Sequence, residues 1–475
     1  AQYAEQLLKN SGKESAFQVP CRLWQKPEGR RQEMSEYTKK QILAMAEEED
    51  VEFIRLQFTD ILGDLKNVAV TTSQLEKVLD NRYMFDGAAI EGFAGAAESD
   101  LYLYPDLDTF VIFPWRPQQG KVARFMCDIY YADRTPFEAD PRQILKRVIR
   151  EAGEMGYTFD VGPECEFFLF QLGDNGEPTT NSSEKAGYFD VSPLDQGENA
   201  RREMVMTLED MGFEIETSQH EAAPAQHEID FRYADALTTA DRIMTFRMVV
   251  RTIARRHGLH ATFMPKPREG INGSGMHINM SLSRDGKNLF AAGDGGGISE
   301  TAKKFMAGVL NYAYGMSALT NPLVNSYKRL VPGYEAPIYT GWTTRQRSPF
   351  IRVPSARGEN TRIELRSPDA CGNPYLILAV CLAAGLAGIR EGMELPDEVT
   401  KDVAAMDEEE KKKCGVERLP KDLKESIEAM EKSTLIRTIL GDVVFNAYLQ
   451  KKRKEWESYC LQVSRWEIER YLDRV

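Results

Sequence analysis

The stretch Gly162-Pro163-Glu164-Cys165-Glu166-Phe167-Phe168-Leu169-Phe170 carries residue types able to do chemistry at close spacing. After the Gly-Pro breaker its composition predicts a short strand. Alternation places Glu164, Glu166, Phe168 and Phe170 on one face, and Cys165, Phe167 and Leu169 on the other. Two carboxylates side by side on a half-apolar face are costly to ionise unless something positive lies between them. An arginine or lysine partner, a shared proton or a divalent metal would each serve.

Three further stretches repeat the pattern. Met276–Leu282 alternates, with His277, Asn279 and Ser281 facing one way. Arg362-Ile363-Glu364-Leu365-Arg366 sets Arg362, Glu364 and Arg366 on one face. Between His220 and Glu228, Glu221 and Glu228 stand on either side of a Pro-containing bend. Together these pieces offer five glutamates and one histidine, with arginines interleaved. Oxygen-rich, imidazole-poor ligand sets suit Mg2+ or Mn2+ rather than zinc. The arginines suit an anionic substrate such as a phosphate or carboxylate. Metals, arginines and no G-x-S-x-G or Cys/His nucleophile signature point to phosphoryl transfer. There is no Walker P-loop, so a nucleotide would be held by another route.

The elements that must position these residues read as α+β. At 475 residues the chain exceeds one ordinary core, and two domains are expected. Residues 1–34 are a polar extension of unassigned role, and Ala1–Gln18 lacks the apolar core of a secretory signal. Residues 35–118 read as a small unit: a helix over Tyr37–Glu49, strands Val51–Phe58 and Lys66–Val70, a short helix and an extended stretch Tyr102–Phe113. Residues 119–475 form the larger unit, which Lys121–Tyr131 opens as a strand. Helices are expected from Asp140 to about Met155, over Gly197–Met211, Ala240–His257 and Asp407–Lys413, and as one helix over Lys451–Val475. The apolar run Tyr375–Ile389 is too short for a bilayer and reads as a buried helix, so no membrane partner is expected. A net charge of −13 argues against a nucleic-acid surface. Seven scattered cysteines without C-x-x-C read as reduced thiols of a cytoplasmic protein.

From about residue 35 onward the chain resembles a bacterial or archaeal type I glutamine synthetase. The motifs are Phe58-Thr59-Asp60, Met84-Phe85-Asp86-Gly87, Glu98-Ser99-Asp100, Gly162–Phe167, Gln226-His227-Glu228, Lys266-Pro267, Asn272–His277 and Asn325–Pro337. The wording around His257–Pro267 is similar to the Gram-positive-like alpha branch. The resemblance implies a small β-grasp-like domain and a large catalytic domain whose antiparallel sheet lines the active site. It implies ATP-dependent ligation of ammonia to glutamate through γ-glutamyl phosphate, with two Mg2+ or Mn2+ ions per site. One ion would be held by Glu166, Glu221 and Glu228 near glutamate and the amine. The other would be held by Glu164, His277 and Glu364 and would bridge the ATP phosphates. Asn272, Gly273, Arg329 and Arg366 match glutamate-holding positions, and Arg347 and Arg352 match phosphate contacts. Glu216, Tyr233 and Ser281 match nucleotide contacts. Glu335 would lie on a flap that closes the site, and Asp86 would reach a neighbouring subunit's site to deprotonate ammonium. The implied assembly is a dodecamer of two stacked hexamers.

Five positions depart from the family pattern. Ala88 and Ala89 replace two serines, one beside the ammonium site, which raises the alternative of a γ-glutamyl-amide ligase for another amine. A low-activity regulatory homologue is a further alternative, which the complete ligand set opposes. Gly95 replaces an arginine linked to glutamine feedback, so weak inhibition is expected. Ala404 replaces an adenylylated tyrosine, and Gln219 a phosphate-side histidine.

Overall fold

The computed structural model describes residues 37–93, 99–116, 119–293, 297–345 and 349–475. Two sheets organise the chain. The smaller has six strands, five in the order Leu65–Thr71, Val51–Thr59, Lys121–Tyr130, Asp100–Pro105, Tyr83–Asp86. The larger has ten, with Thr158–Gln171 central among Trp342–Thr343, Ile351–Arg352, Ile363–Leu365, Met276–Arg284, Gln226–Phe231 and Ile215–His220. A β-grasp unit and a catalytic unit in an α+β chain, as expected, account for this arrangement.

Three local expectations change. The strand Lys121–Tyr130 lies inside the smaller sheet, parallel to Val51–Thr59 and antiparallel to Asp100–Pro105. Alternation identifies a strand but not its partner. Gly162-Pro163 does not break the central strand, which runs unbroken over Thr158–Gln171. On one flank its pairing passes from Ala234–Asp235 at Asp160 and Val161 to Gln226–Phe231 from Glu164 onward. Gly162 and Pro163 fall in that gap, where a missing N–H costs the ladder nothing on that side. Finally, Lys451–Val475 is not one helix. A helix ends at Cys460, and Ser464 caps a new one, Arg465–Tyr471, with its hydroxyl on the Glu467 N–H and the Glu467 carboxylate on its own N–H.

Behind the larger sheet pack the helices Pro141–Glu154, Ala236–Arg256 and Pro374–Glu391. The last starts with Asn373 as cap and Pro374 in its first turn, and ends on Gly392 with φ 65°. It is long and apolar enough to pass for a membrane span, but it is the buried core helix. Its partner is Glu300–Asn311, and the two approach closely through glycines. A Cβ on Gly388 would sit 2.1 Å from the Lys304 carbonyl oxygen, and one on Gly308 would sit 2.1 Å from that of Ala384.

A buried arginine ties the smaller sheet to the helices packed behind the larger one. Arg142 donates to Asp128 Oδ1 (2.6 Å) and Asp106 Oδ2 (2.7 Å) of the smaller unit. It also donates to both oxygens of Asp241, at 3.0 and 2.9 Å, and Tyr375 Oη donates to Asp241 at 2.7 Å. Three carboxylates around one guanidinium keep it charged despite burial.

The glycine contacts predict a contrast. Gly388→Ala should cost about 1–3 kcal/mol by overpacking backbone against backbone. Gly153→Ala, in an exposed helix position with open space around it, should stabilise by about 0.5–1 kcal/mol. Urea unfolding midpoints of the two variants against the parent check both signs.

Candidate active site

The central strand sends Cys165, Phe167 and Leu169 into the main core and Phe168 and Phe170 into a small cluster with Ala223 and Ala225. Glu164 and Glu166 therefore stand on the face opposite the main core. Register then supplies their neighbours. His277 lies opposite Glu164 on one side, and Asp230 lies opposite it on the other. Glu166 faces Glu228, which faces Gln219. Glu364 faces Asn279 on one side and Arg352 on the other.

Glu164, His277 and Glu364 come together, with one ligand atom of each within 4.8 Å of the others. His277 Nδ1 is 3.0 Å from Glu164 Oε2, and Asn279 Nδ2 donates to Glu164 Oε1 at 2.9 Å. His277 Nδ1 is also 3.7 Å from Glu364 Oε1. Burial, and then the Arg366 charge, pull His277 below its ordinary pKa. This favours the neutral imidazole, the form that ligates a metal. Against the upward pull of burial, the His277 and Asn279 contacts hold Glu164 below the usual carboxylate range. Glu364 is buried between two arginines: Arg352 Nη1 donates to it at 2.7 Å, and Arg366 Nη1 donates to its other oxygen.

The second group behaves differently. Burial, and then the Glu221 charge, push Glu166 up to about 8. Burial, and then Asp230, Glu166 and Glu221, push Glu228 up to about 11. Here burial and the repulsion between carboxylates outweigh the pull of Arg329 and Arg366 on Glu166, which is the condition a divalent metal relieves. Three neutral donors fix these carboxylates in place. Gln226 Nε2 and the Gly275 N–H donate to Glu166 Oε2 at 2.8 and 3.0 Å, and Gln219 Nε2 donates to Glu228 Oε1 at 2.6 Å. Both groups fit divalent cations by donor type and by charge, but of the two it is Glu164, His277 and Glu364 whose ligand atoms are drawn to within 4.8 Å of one another.

A family model described as "Glutamine synthetase, beta-Grasp domain" matches residues 50–132, and one described as "Glutamine synthetase, catalytic domain" matches residues 138–471. The chain belongs to the glutamine synthetase family. A Clostridium saccharobutylicum glutamine synthetase is 58% identical over 93% of this chain and all of its own length. One from Staphylococcus aureus is 56% identical over 92% of this chain and 98% of its own. Among solved structures, a GmaS complex with ADP matches with TM-score 0.82 at 33% identity, over 91% of this chain and 99% of its own. Plasmodium falciparum glutamine synthetase matches with TM-score 0.82 at 25% identity, over 93% of this chain and all of its own. The reaction is therefore ATP-dependent synthesis of glutamine, with glutamate, ammonia and ATP as substrates.

The remaining family-matched positions are placed as follows. Arg329 is buried, donating to Asp369 Oδ1 (3.0 Å), the Ser367 carbonyl (2.7 Å) and the Arg366 carbonyl (3.1 Å). Arg366 keeps a buried Nε without a hydrogen-bond partner among the described residues. The Asn272–Gly273 loop abuts Glu166 through Gln226, whose Nε2 also donates to the Gly273 carbonyl at 3.1 Å. Residue 273 must be glycine, since a Cβ there would lie 2.1 Å from the Pro265 carbonyl oxygen. Ser281 lies on the His277 strand opposite Asp160. Glu216 is on the edge strand, and Tyr233 is exposed just beyond the Asp230 strand. Glu335 is exposed with φ 44°. Asp86 is exposed on the far edge strand of the smaller sheet, and its carboxylate accepts from the Ala88 N–H at 2.8 Å. Ala88, Ala89 and Ala404 are exposed. Arg347 and Gly95 lie outside the described residues.

Sequence reasoning missed several residues. Asp230 shares the Glu228 face and is pushed to about 7, first by burial and then by Glu164 against a Thr217 hydrogen bond. The alternation that puts Ile229 and Phe231 on one side already implies it. Beneath the bend that carries Glu221, Glu184, Asp195, His220 and His227 form a buried group spaced like metal ligands. It already holds a cation: Arg201 Nη1 donates to Asp195 Oδ2 at 2.8 Å and to His227 Nδ1 at 2.9 Å. Its place is to support the residues beside Glu221 and Glu228. These partners are distant in sequence, and no spacing announces them.

The raised Glu166 and Glu228 have a signed consequence. Both bind protons in the metal-free fold at pH values where an unfolded glutamate is ionised, so the metal-free protein loses stability as pH climbs from the ordinary glutamate range toward 8 and beyond. Binding of Mn2+ at pH 7 should release roughly two protons and fewer above pH 8. Calorimetric titration in buffers of different ionisation enthalpy reads this number, and release of none would refute the protonated state.

Proposed function

We propose that this sheet face holds two divalent cations, Mg2+ or Mn2+, divided between two ligand groups. Glu164, His277 and Glu364 would hold the ion on the ATP side. Glu166, Glu221 and Glu228 would hold the ion on the glutamate and amine side. The observation that carries the reading is the electrostatic split across one face. The first group is compensated by arginines and its imidazole is pulled toward the neutral form, whereas burial and then mutual repulsion push the carboxylates of the second toward protonation. When bound, the ions neutralise phosphate and carboxylate charge.

The chain's own residues then do the rest. Arg329, Arg366, Asn272 and Gly273 bind and orient glutamate, and Arg347 and Arg352 face the phosphates. Glu216, Tyr233 and Ser281 hold the nucleotide. The glutamate γ-carboxylate attacks the γ-phosphate of ATP, giving γ-glutamyl phosphate and ADP, while arginines offset the charge reaching the leaving oxygen. Asp86 takes a proton from ammonium, and ammonia displaces phosphate. Glu335 closes over the site, excludes water and accepts a proton.

Asp86 would act in the neighbouring subunit of a dodecamer of two stacked hexamers. Support comes from its exposed place on an edge strand and from the apolar residues left uncovered at the C-terminus, with Leu461 83% and Leu472 72% exposed. The cytoplasm suits the six described cysteines, all free.

Two measurements test the reading. Phosphate release dependent on glutamate and ATP should show a higher kcat/KM with ammonium than with methylamine or a polyamine, and the reverse order would overturn the choice of amine. Glu164→Gln should raise the KM for ATP at least about tenfold, and Glu166→Gln should do so for glutamate and ammonium. Identical defects in the two variants would sink the division of ligands.

A further inference from the structure

Lys266 is 9% exposed, yet among the described residues no carboxylate pairs with its ammonium. Its main chain is clamped by one side chain. The Lys266 N–H donates to Asn325 Oδ1 at 2.7 Å, and Asn325 Nδ2 donates back to the Lys266 carbonyl at 3.0 Å. Asn325 immediately precedes the short helix Ser326–Arg329. The Lys266 Nζ donates to the carbonyl of Ile271, the residue before Asn272. The same Nζ stands 3.6 Å from the centroid of the Tyr334 ring. Tyr334 is followed by Glu335, whose φ of 44° is a left-handed conformation that residues with a Cβ rarely adopt.

An ammonium removed from water needs its hydration replaced. Here a carbonyl and the negative face of an aromatic ring do this. The three contacts join three separate pieces of chain: the Asn272–Gly273 loop, the helix that ends in Arg329, and the segment that carries Glu335. We infer that Lys266 and the Tyr334 ring form a latch that holds the Glu335 segment against the Asn272–Gly273 loop, making Lys266 a positioning residue for glutamine synthesis. The inference rests on the reading of Glu335 as the residue that closes the site.

The latch controls which nucleophile reaches the acyl phosphate. With the segment held, ammonia attacks the γ-carbonyl carbon, the bond from that carbon to the phosphate oxygen breaks, and glutamine and phosphate form. With the segment released, water attacks the same carbon, the same bond breaks, and glutamate and phosphate return. ATP is then consumed without glutamine being made.

The readout is ADP formed per glutamine formed, measured on the full chain with Mg2+, ATP, glutamate and subsaturating ammonium. Lys266→Met keeps the apolar stem and removes the charge, and Tyr334→Leu removes the ring. Each should raise the hydrolytic fraction about thirtyfold, the size of a desolvated cation–ring contact. Lys266→Arg and Tyr334→Phe, which keep charge and ring, should stay within about twofold of the parent. The double variant Lys266→Met/Tyr334→Leu should be no worse than either single one, because the two residues act as a unit. Parallel loss of ADP and glutamine formation at an unchanged ratio would overturn the latch, as would single-variant effects that multiply in the double variant. Glu335→Gln separates the two layers. Parent-like rates in that variant would sink the reading of Glu335, whereas an impaired Glu335→Gln beside a parent-like Lys266→Met would sink the latch alone.

Discussion

The site depends on the register of one strand. Thr158–Gln171 is paired so that carboxylate meets carboxylate, Glu166 against Glu228 and Glu164 against Asp230. Like charges directly across a sheet oppose pairing. A slip of one residue would relieve the repulsion, but it would also turn Cys165, Phe167 and Leu169 out of the core. Those residues pack with Ile229, Phe231, Met276 and Ile278, all essentially inaccessible to solvent. The apolar back of the sheet thus offsets the repulsion on its front. The fold thus keeps carboxylates crowded on this front, offset at Glu364 by Arg352 and Arg366 and at Glu166 and Glu228 by a raised proton affinity.

That separation of back from front also explains what could be read in advance. Period-two alternation is local, so Glu164, Glu166, His277 and Glu364 were legible as residues of one face before any strand partner was known. The pairing of the strands was not. Lys121–Tyr130 looks like a first strand of the larger unit, and only long-range contacts put it inside the smaller sheet. Gly162-Pro163 is a breaker by composition and an ordinary interior position once the gap between its flanking strands is seen. Asp230 was legible and overlooked. The buried group of Glu184, Asp195, Arg201, His220 and His227 was not legible, because its members come from four segments whose meeting is a property of the whole fold. Roles read by resemblance, such as those of Asn272, Arg352 and Ser281, stand on motif identity rather than on any physical signal in the sequence.

The two kinds of contact sit on two kinds of structure. All the carboxylates and the imidazole proposed as metal ligands, except Glu221 at its bend, project from paired strands, where a neighbour on each side limits their movement. The residues proposed to hold glutamate or to close over it sit in loops or at the ends of short elements, where segments can shift without disturbing the sheet. Glycine joins the two. The Gly275 N–H reaches Glu166 directly, and a Cβ at that position would lie 2.4 Å from Arg329 Nη2. One residue without a side chain therefore lets the guanidinium come up beside the carboxylate it is to work with, while its backbone fixes that carboxylate. A sheet face crowded with carboxylates and the loops that carry the substrate-holding residues meet at this point. The charge that makes the face attract metal is positioned by the same backbone that positions the substrate-holding arginine.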